Sequence, residues 1–352
     1  MKAMSLKLCF AIVCSAIMFT ACSDDDSTPT DPTPTRDIPP GVYIIHEGGF
    51  GSNNASLSYY IPDSNKVYND VYKNITGESL GDVGQDIVIH GDLVYLVVNN
   101  SNKIEVLNHS DWTHSHTIEL PNAQPRYMYF ARNDLGYITN SADGTVSVYD
   151  PASKTITATV PVGNNPEDME YSQSHVFVAN GGFGSGNTVS VINIGSNTVE
   201  ATITVGDYPQ AIEYLSTSKI AVLCTGAYGD FNDPNDDTPG YLYIINTQTY
   251  AVEDSMELGG HPTHMTADLG RNVYISDGTG IDKVNTTTMQ RTQNFVNGTF
   301  YGLKYDSQRN RLYATDAKDF QQDGDLYVYS SAGSLLFKYT LGIAPRAMAI
   351  VE

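Results

Sequence analysis

The chain has 352 residues, of which 41% are hydrophobic, and its 40 acidic and 19 basic side chains give a formal net charge of -21. A surface this acidic repels polyanions, which argues against a nucleic-acid partner and against electrostatic attraction to anionic lipid. Three of the four cysteines precede residue 23, so Cys224 stands alone in the rest of the chain and no disulfide framework is possible.

The N-terminus has the layout of an export signal. Lys2 and Lys7 precede an apolar run over residues 8–19, which is shorter than the roughly 20 residues that span a bilayer. The following Thr20-Ala21-Cys22 resembles a bacterial lipobox, whose cysteine is lipidated. We therefore predict a lipoprotein signal peptide over residues 1–21 and lipidation of Cys22, with an ordinary signal peptide and an incidental cysteine as the alternative.

Residues 22–40 are predicted to be an extended tether. Ser23 is followed by three aspartates and then by a stretch rich in Pro and Thr, a composition that cannot form a core. Removal of residues 1–21 would leave 17 basic against 40 acidic residues, a net charge of -23. Acidic residues directly behind the lipidated cysteine resemble the surface-export signal of Bacteroidetes lipoproteins. That resemblance implies a lipid-anchored protein on the extracellular face of the outer membrane.

From residue 41 the chain repeats one unit, best seen over residues 137–169. Short runs alternate apolar and polar residues and are separated by turn residues, as in antiparallel strands. Seven copies are marked by a small turn before the strand that opens each unit, at Gly84, Pro125, Pro166, Pro209, Pro262, Phe300 and Pro345. The intervals of 41, 41, 43, 53, 38 and 45 residues are close to the roughly 40 to 45 of a four-stranded propeller blade.

These repeats predict an all-β fold: a seven-bladed β-propeller of four-stranded antiparallel blades over residues 41–352. Only one short strand, residues 347–351, follows the last marker, whereas the repeat region begins with VYIIHE, which reads as the second strand of a unit. The C-terminal strand is therefore expected to complete the N-terminal blade. Closure of this kind leaves no long sheet edge unpaired.

Long loops are expected on one face of the disc, where the second strand of a blade connects to the third. They cover residues 46–55, 180–188, 225–240 and 316–325, and the third of them accounts for the 53-residue interval. An apolar ring on an exposed Gly-rich loop is covered either by a neighbouring loop or by a ligand, and both possibilities stay open. The candidate ligand-binding aromatics on these loops are Phe50, Phe183, Tyr228, Phe231 and Phe320.

A second set of candidates lies where the fourth strand of one blade connects to the first strand of the next. Alignment on the turn places seven side chains at equivalent positions near the central mouth: Gln85, Arg126, Glu167, Gln210, Thr263, Tyr301 and Arg346. Their chemistry differs from blade to blade, which favours recognition of an asymmetric ligand. The alternative is that these polar groups only bond one another.

Metal sites and catalytic motifs receive less support. His261 and His264 are three apart at a turn, where ordinary packing histidines are the more frequent explanation. The acidic stretch 230–237 lacks the Gly and terminal Glu of an EF-hand loop, so calcium there is a minor alternative. We find no nucleophile elbow and no Cys/His pair at nucleophile spacing. We therefore predict no catalytic residue, no metal and no cofactor.

Two resemblances bear on function. Tyr137-Ile-Thr-Asn140 and the phrases that follow resemble YVTN-type seven-bladed propellers over residues 41–352. The opening segment from His46 to Ile87, beginning HEGGFGSNN, resembles the first blade of the BtuG-like surface lipoproteins of Bacteroidetes. That resemblance implies capture of cobalamin or related corrinoids, which would be ligands and not cofactors, and their transfer to a BtuB-type outer-membrane transporter.

Three functions therefore remain open at this point. The first is a non-enzymatic lipoprotein that captures cobalamin. The second is a platform for a glycan, peptide or protein in which loop 225–240 makes the contacts, and the third is a metal-dependent hydrolase or lyase. The third is least favoured, because the predicted mouth has a single acid, Glu167, and no ordered cluster of metal ligands.

Overall fold

The structure is a computed structural model that describes residues 38–230, 236–268 and 270–351. The predicted signal peptide, Cys22, nearly all of the predicted tether and Phe231 lie outside these residues. The described chain forms seven four-stranded antiparallel sheets, which confirms the predicted seven-bladed propeller.

The strands are numbered in chain order, and within each blade the strand nearest the axis is given first. Blade 1 contains β28 (Pro345–Ile350), β1 (Val42–His46), β2 (Ser56–Ile61) and β3 (Lys66–Tyr68). Blade 2 contains β4 (Gly84–His90), β5 (Leu93–Val98), β6 (Lys103–Asn108) and β7 (His114–Glu119). Blade 3 contains β8 (Pro125–Arg132), β9 (Leu135–Asn140), β10 (Thr145–Asp150) and β11 (Thr155–Pro161).

The remaining blades repeat this order. Blade 4 contains β12 (Pro166–Ser172), β13 (His175–Asn180), β14 (Thr188–Asn193) and β15 (Thr198–Thr204). Blade 5 contains β16 (Pro209–Ser216), β17 (Lys219–Cys224), β18 (Tyr241–Asn246) and β19 (Val252–Glu257). Blade 6 contains β20 (His264–Ala267), β21 (Asn272–Ser276), β22 (Gly280–Asn285) and β23 (Gln290–Asn297). Blade 7 contains β24 (Gly302–Asp306), β25 (Arg311–Asp316), β26 (Asp323–Ser330) and β27 (Leu335–Ile343).

The ring closes as the sequence predicts. The C-terminal strand β28 pairs antiparallel with β1, with Val42 opposite Ile350, and reciprocal backbone hydrogen bonds join Gly41 to Val351. The innermost strands contact one another in succession around the axis, from β28 through β4 and β8 back to β28. Because the last strand completes the first blade, neither end of the propeller leaves an inner strand unpaired.

The hydrophobic core lies between the blades and not at the axis. Between blades 3 and 4, for example, Tyr137 and Val146 pack with Met169 and Val176. The two middle strands of a blade are covered on both faces and are mostly buried, as in β9, whereas an outer strand such as β11 alternates exposed and partly buried residues. Burial on both faces allows a continuous apolar run such as LVYLVV in β5, whereas the half-exposed outer strands alternate.

Helical structure is limited in the described residues to α1 (Val71–Thr76), between blades 1 and 2, and a single 3-10 turn, Gly182–Gly184. Neither could cross a membrane, and the described chain has no other helix that could.

The two faces of the disc differ in their connections. The long connections 47–55, 181–187, 225–240 and 317–322 all join the second strand of a blade to the third, and they share one face, which we call the loop face. Short connections from first to second strands occupy the opposite face, which we call the turn face. Since β28 ends on the turn face beside Gly41, the chain enters the propeller there, and Ile38 is already buried at that point.

Candidate functional site

The loop-face end of the central channel is occupied by the side chains that begin the innermost strands. Gln85, Glu167, Gln210 and Arg346 are buried, and the other three predicted mouth residues, Arg126, Thr263 and Tyr301, are half-buried. The small turn before each inner strand, usually a Pro, places these side chains at one level. The structure therefore brings the predicted mouth residues to one end of the channel.

Four of the polar side chains at this level form a continuous hydrogen-bonded series, which we call the polar chain: Gln85, Arg126, Glu167 and Asn165. Arg126 donates from Nε and Nη2 to Glu167 Oε2, at 2.9 and 2.6 Å, and from Nη1 to Gln85 Oε1, at 3.2 Å. Asn165 Nδ2 donates to the second oxygen of Glu167 at 2.8 Å. The polar chain thus links blades 2, 3 and 4.

Arg346 of blade 1 forms a second group of hydrogen bonds at the loop-face end of the channel. Its Nη1 donates to Glu47 Oε1 at 2.8 Å and to the Tyr301 hydroxyl at 2.9 Å, and its Nη2 donates to the Tyr127 hydroxyl at 3.3 Å. Tyr301 and Tyr127 belong to blades 7 and 3, so this one guanidinium ties together three blades around the axis. Together with the polar chain, it places a layer of charged and hydroxyl groups across the channel.

The remaining two mouth residues bond locally. Gln210 Oε1 accepts a hydrogen bond from Thr225 at 2.9 Å, and the Thr263 hydroxyl lies 2.9 Å from His264 Nδ1. The mouth residues therefore bond mainly to one another and to their neighbours, which is the alternative that the sequence left open. Their contact with a ligand stays a prediction.

A cavity of about 640 Å³ occupies the channel beneath this layer and extends to His90, Ser307 and Ile350, at the turn-face ends of their strands. Of the seven predicted mouth residues, only Thr263 and Arg346 line it. The cavity thus runs along the channel from the charged layer to the turn face. A broad ligand approaching the loop face would meet the charged layer before this cavity.

The cavity walls carry four carboxyl groups with perturbed pKa values. Burial raises the pKa of Glu213 to about 7, although Lys304 opposes the shift, and burial raises the pKa of Asp168 well above its usual range. Burial likewise raises the pKa values of Asp86 and Glu170. Burial also lowers the pKa of His264, to about 3, so its imidazole is neutral at pH 7.

The predicted loop aromatics fall into two pairs. Tyr228 stacks on His261 with ring centroids 3.7 Å apart, and Phe320 meets the edge of Tyr301 at 4.9 Å. Phe50 and Phe183 are 82% and 78% exposed and have no aromatic partner among the described residues. All four described aromatics are therefore exposed, but Tyr228 and Phe320, at 56% and 47%, each contact one neighbouring ring, whereas Phe50 and Phe183 contact none among the described residues.

The Phe183 loop is held in an unusual backbone conformation. Phe183 has φ of +53°, which bulky residues rarely adopt, and the loop is closed by a hydrogen bond from Gly186 N to Gly181 O at 3.0 Å. Strain of this kind, of order 1–3 kcal/mol, persists where the surrounding structure imposes it, and it gathers at functional sites. In this loop the residue with the strained backbone exposes its phenyl ring to solvent.

Several residues of the site were not identified from the sequence. Asn165, Glu47 and Tyr127 take part in the charged layer, and Tyr208 packs under the Phe183 loop so closely that a Cβ on Gly181 would lie 2.8 Å from its ring. Asn165 and Tyr208 each directly precede the proline marker of their blade, so their position before the marker could have identified them from the sequence. Nothing comparable points to Glu47 or Tyr127.

The two histidines of the H-x-x-H phrase have separate surroundings. His261 lies under Tyr228 with Nε2 3.3 Å from Asp237, whereas His264 packs against Tyr301. Among the residues that the structure describes, no group of three or more His, Cys, Asp or Glu side chains is arranged to hold a metal ion. Most of the acidic stretch 230–237 lies outside the described residues.

Comparison with known proteins identifies a family and a common fold. The family described as "Domain of unknown function (DUF5074)" matches residues 40–215, half of the chain. No curated protein matches. Similar solved structures include a quinonprotein alcohol dehydrogenase-like protein from Bacteroides thetaiotaomicron, at 14% identity and a TM-score of 0.66, covering 88% of this chain and 78% of that one.

Two further structures share the fold at similarly low identity. A putative 6-phosphogluconolactonase from Bacteroides fragilis has 10% identity and a TM-score of 0.66, covering 91% of this chain and all of its own. Hydrazine synthase from Kuenenia stuttgartiensis has 14% identity and a TM-score of 0.62, covering 75% of this chain and 88% of its own. At these identities the likeness concerns the propeller fold alone.

Proposed function

The chain belongs to the DUF5074 family and is a seven-bladed propeller, and from that premise we propose that it captures a ligand on its loop face without chemical turnover. The ligand we propose is cobalamin or a related corrinoid, which the protein would pass to a BtuB-type TonB-dependent transporter. Support for this ligand comes from the resemblance of residues 46–87 to the first blade of the BtuG-like lipoproteins.

One observation carries the proposal. Phe50 and Phe183, on near-identical HEGGFGSNN and NGGFGSGN loops in blades 1 and 4, expose most of their surface above a layer of fixed polar groups. Exposed rings of this size are expected to be covered by something, and the described neighbours do not cover them. The arrangement offers apolar contacts at the rim and hydrogen-bonding groups at the centre.

A corrinoid suits such a surface. It is a broad, rigid disc with an edge of amide groups, so it could rest on the charged layer and touch the rim without entering the channel. Rigidity on both sides limits the entropy lost on association, and each aromatic ring packed on an apolar edge could contribute about 0.5–1.5 kcal/mol.

The point of chain entry supports a surface-anchored receptor. Residues 38–41 join the propeller on the turn face, so a lipid on Cys22 would leave the loop face free for ligand and transporter. The 16 residues from 22 to 37 could extend about 55 Å at most. The acidic surface makes the acyl chain, and not attraction to lipid headgroups, the means of attachment to the outer membrane.

Isothermal titration of the purified protein with cyanocobalamin tests the ligand, and a saturable one-to-one heat is expected. Absence of heat and of spectral change would remove cobalamin and leave the alternative of a platform for a glycan, peptide or protein. That alternative predicts that deletion of residues 226–239 abolishes an interaction. Calcium or zinc that copurifies with the protein would instead support a metal-dependent hydrolase or lyase.

A further inference from the structure

We infer that the polar chain recognises carboxamide groups of the ligand, with Gln85 as a hydrogen-bond donor at one end and Asn165 as an acceptor at the other. This inference rests on the proposed function in that it takes the loop face as the ligand site. It adds which chemical group of the ligand is bound there and which residues bind it. Two buried side-chain atoms that have no hydrogen-bond partner among the described residues point to this role.

Gln85 and Asn165 are only 1% and 3% exposed, yet each has one side-chain atom without a hydrogen-bond partner among the described residues. These atoms are Gln85 Nε2 and Asn165 Oδ1. A buried polar atom left unpaired costs about 1–3 kcal/mol. A ligand that reached these two atoms would supply the missing partners without breaking any hydrogen bond that the protein has already made.

Charged neighbours determine which atom of each amide is free. Arg126 can only donate, so the Gln85 atom that it contacts must be the oxygen, and the free atom must be the NH₂ group. The Glu167 carboxylate can only accept, so the Asn165 atom that it contacts must be the nitrogen, and the free atom must be the oxygen. The Arg126–Glu167 ion pair therefore orients a donor at one end and an acceptor at the other.

Both ends of the polar chain lie next to the loops that carry the exposed phenylalanines. The backbone N–H groups of Gly181 and Gly182, which precede Phe183, donate to the carbonyls of Asn165 and Asn164. At the other end, Gly51 N of the blade 1 loop, next to Phe50, donates to Asp82, three residues before Gln85 of blade 2. The chain segment at each end of the polar chain is thus hydrogen-bonded to a loop that carries an exposed ring, and the Arg126–Glu167 pair lies between the two ends.

A carboxamide is the group that matches this pattern, because it carries an acceptor C=O and a donor NH₂. Its oxygen would accept from Gln85, and the NH₂ of the same or another carboxamide on the ligand would donate to Asn165. A carboxylate has no proton to donate to Asn165 Oδ1 and would lie near the negative Glu167. The Asn165 end therefore favours amides over acids, whereas the Gln85 end can donate a hydrogen bond to the oxygen of either group.

The first experiment compares cyanocobalamin with derivatives in which one side-chain carboxamide is hydrolysed to a carboxylate. At least one derivative is expected to bind the wild-type protein about tenfold more weakly, and Asn165→Gly should narrow that difference. Gly tolerates the left-handed backbone at this position, φ +44°. Gln85→Met should weaken cyanocobalamin itself about two- to tenfold, the effect of one hydrogen bond.

Asn310→Gly and Gln290→Met provide matched controls away from the loop face. Asn310 has φ of +50° in a tight turn of the turn face, and Gln290 is exposed at the start of β23. Both should bind as the wild type does. If folded Gln85→Met and Asn165→Gly proteins bind cyanocobalamin and its acid derivatives as the wild type does, the inference is overturned while the proposed function stands.

A second measurement does not depend on corrinoids or on variants that fold. Succinamide and succinate are titrated into the ¹⁵N-labelled wild-type protein while the side-chain amide resonances of Gln85 and Asn165 are followed. Shifts of both with succinamide, and no shift of Asn165 with succinate, support the inference even if cyanocobalamin does not bind. If succinamide moves neither resonance, the polar chain is only structural and the inference is wrong.

Discussion

Asp168 of blade 4 accepts a hydrogen bond from the backbone N–H of Ile212 in blade 5, at 3.0 Å, although no sheet joins the two blades. Asp86 of blade 2 does the same for Met128 of blade 3, also at 3.0 Å. Innermost strands do not pair with one another, so the N–H groups on the free edge of each strand need other acceptors. Carboxyl groups in the channel supply them, which gives these acids a structural role.

Removal of the Asp168 acceptor should destabilise the propeller. Asp168→Ala leaves the Ile212 N–H without this partner, and we expect the free energy of unfolding to fall by about 1–3 kcal/mol, measured by urea denaturation. Asp168→Asn keeps a carbonyl oxygen in place, so its free energy of unfolding should fall by less. Equal losses in the two variants would show that this hydrogen bond is not the cause, and exposed Asp134→Ala serves as the control.

The raised pKa of Glu213 predicts a particular pH dependence. A carboxyl group whose pKa is about 7 in the folded state and near 4.5 when unfolded binds its proton more tightly when folded, so its contribution to stability is lost as pH rises from about 4.5 to 7. Against Glu213→Gln, the wild type should therefore lose about 1–3 kcal/mol of unfolding free energy between pH 5 and pH 8.

The comparison with the variant is needed because buried His46 and His264 act in the opposite direction. Burial lowers the pKa of each to about 3, so both favour unfolding as pH falls below about 6.5. They are present in both proteins and cancel in the difference. Identical pH profiles for wild type and Glu213→Gln would show that Glu213 ionises normally.

The Arg126–Glu167 pair should show strong coupling in a double-mutant cycle. Removal of one partner of a buried ion pair typically costs about 3–5 kcal/mol, and less is expected here because the Arg126 side chain keeps 20% of its surface exposed. Arg126→Met and Glu167→Met should each destabilise the protein, and the double variant should be more stable than the sum predicts. Additive losses of unfolding free energy would contradict direct pairing.

The ring itself could be predicted because its determinants are local. Each blade opens with a small turn, usually containing a Pro, and that position alone brought Gln85, Arg126 and Glu167 to one level. The spacing of 41 residues between Arg126 and Glu167 also places opposite charges on adjacent blades. The four described loop aromatics were identified for a similar local reason, since a large ring among Gly residues has no nearby cover.

Contacts across the axis could not be predicted. The link from Arg346 to Tyr127 joins residues 219 apart and depends on side-chain conformations in three blades. Whether the channel is closed on the loop face depends on such contacts, and sequence spacing carries no information about them. The difference between Tyr228, which stacks on His261, and the more exposed Phe183 likewise depends on which residue of the next blade lies beneath each loop.

Lipid attachment through Cys22 is tested by Cys22→Ser. The variant is expected to incorporate no labelled fatty acid and to leave the membrane fraction, because no acyl chain remains and the acidic propeller does not bind anionic lipid on its own. Cys14→Ser, in the segment predicted to be removed, should behave as the wild type does. Unchanged membrane association of Cys22→Ser would refute the predicted anchor.

Ligand capture by the loop face is tested most directly by the affinity for cyanocobalamin after removal of the two exposed phenyl rings of that face. Phe50→Ala/Phe183→Ala should raise Kd about 5- to 150-fold, from two contacts of about 0.5–1.5 kcal/mol each, at an unchanged melting temperature. Leu335→Ala, at an exposed apolar position of β27, should leave Kd unchanged. A double variant that binds cyanocobalamin as tightly as the wild type would contradict the account.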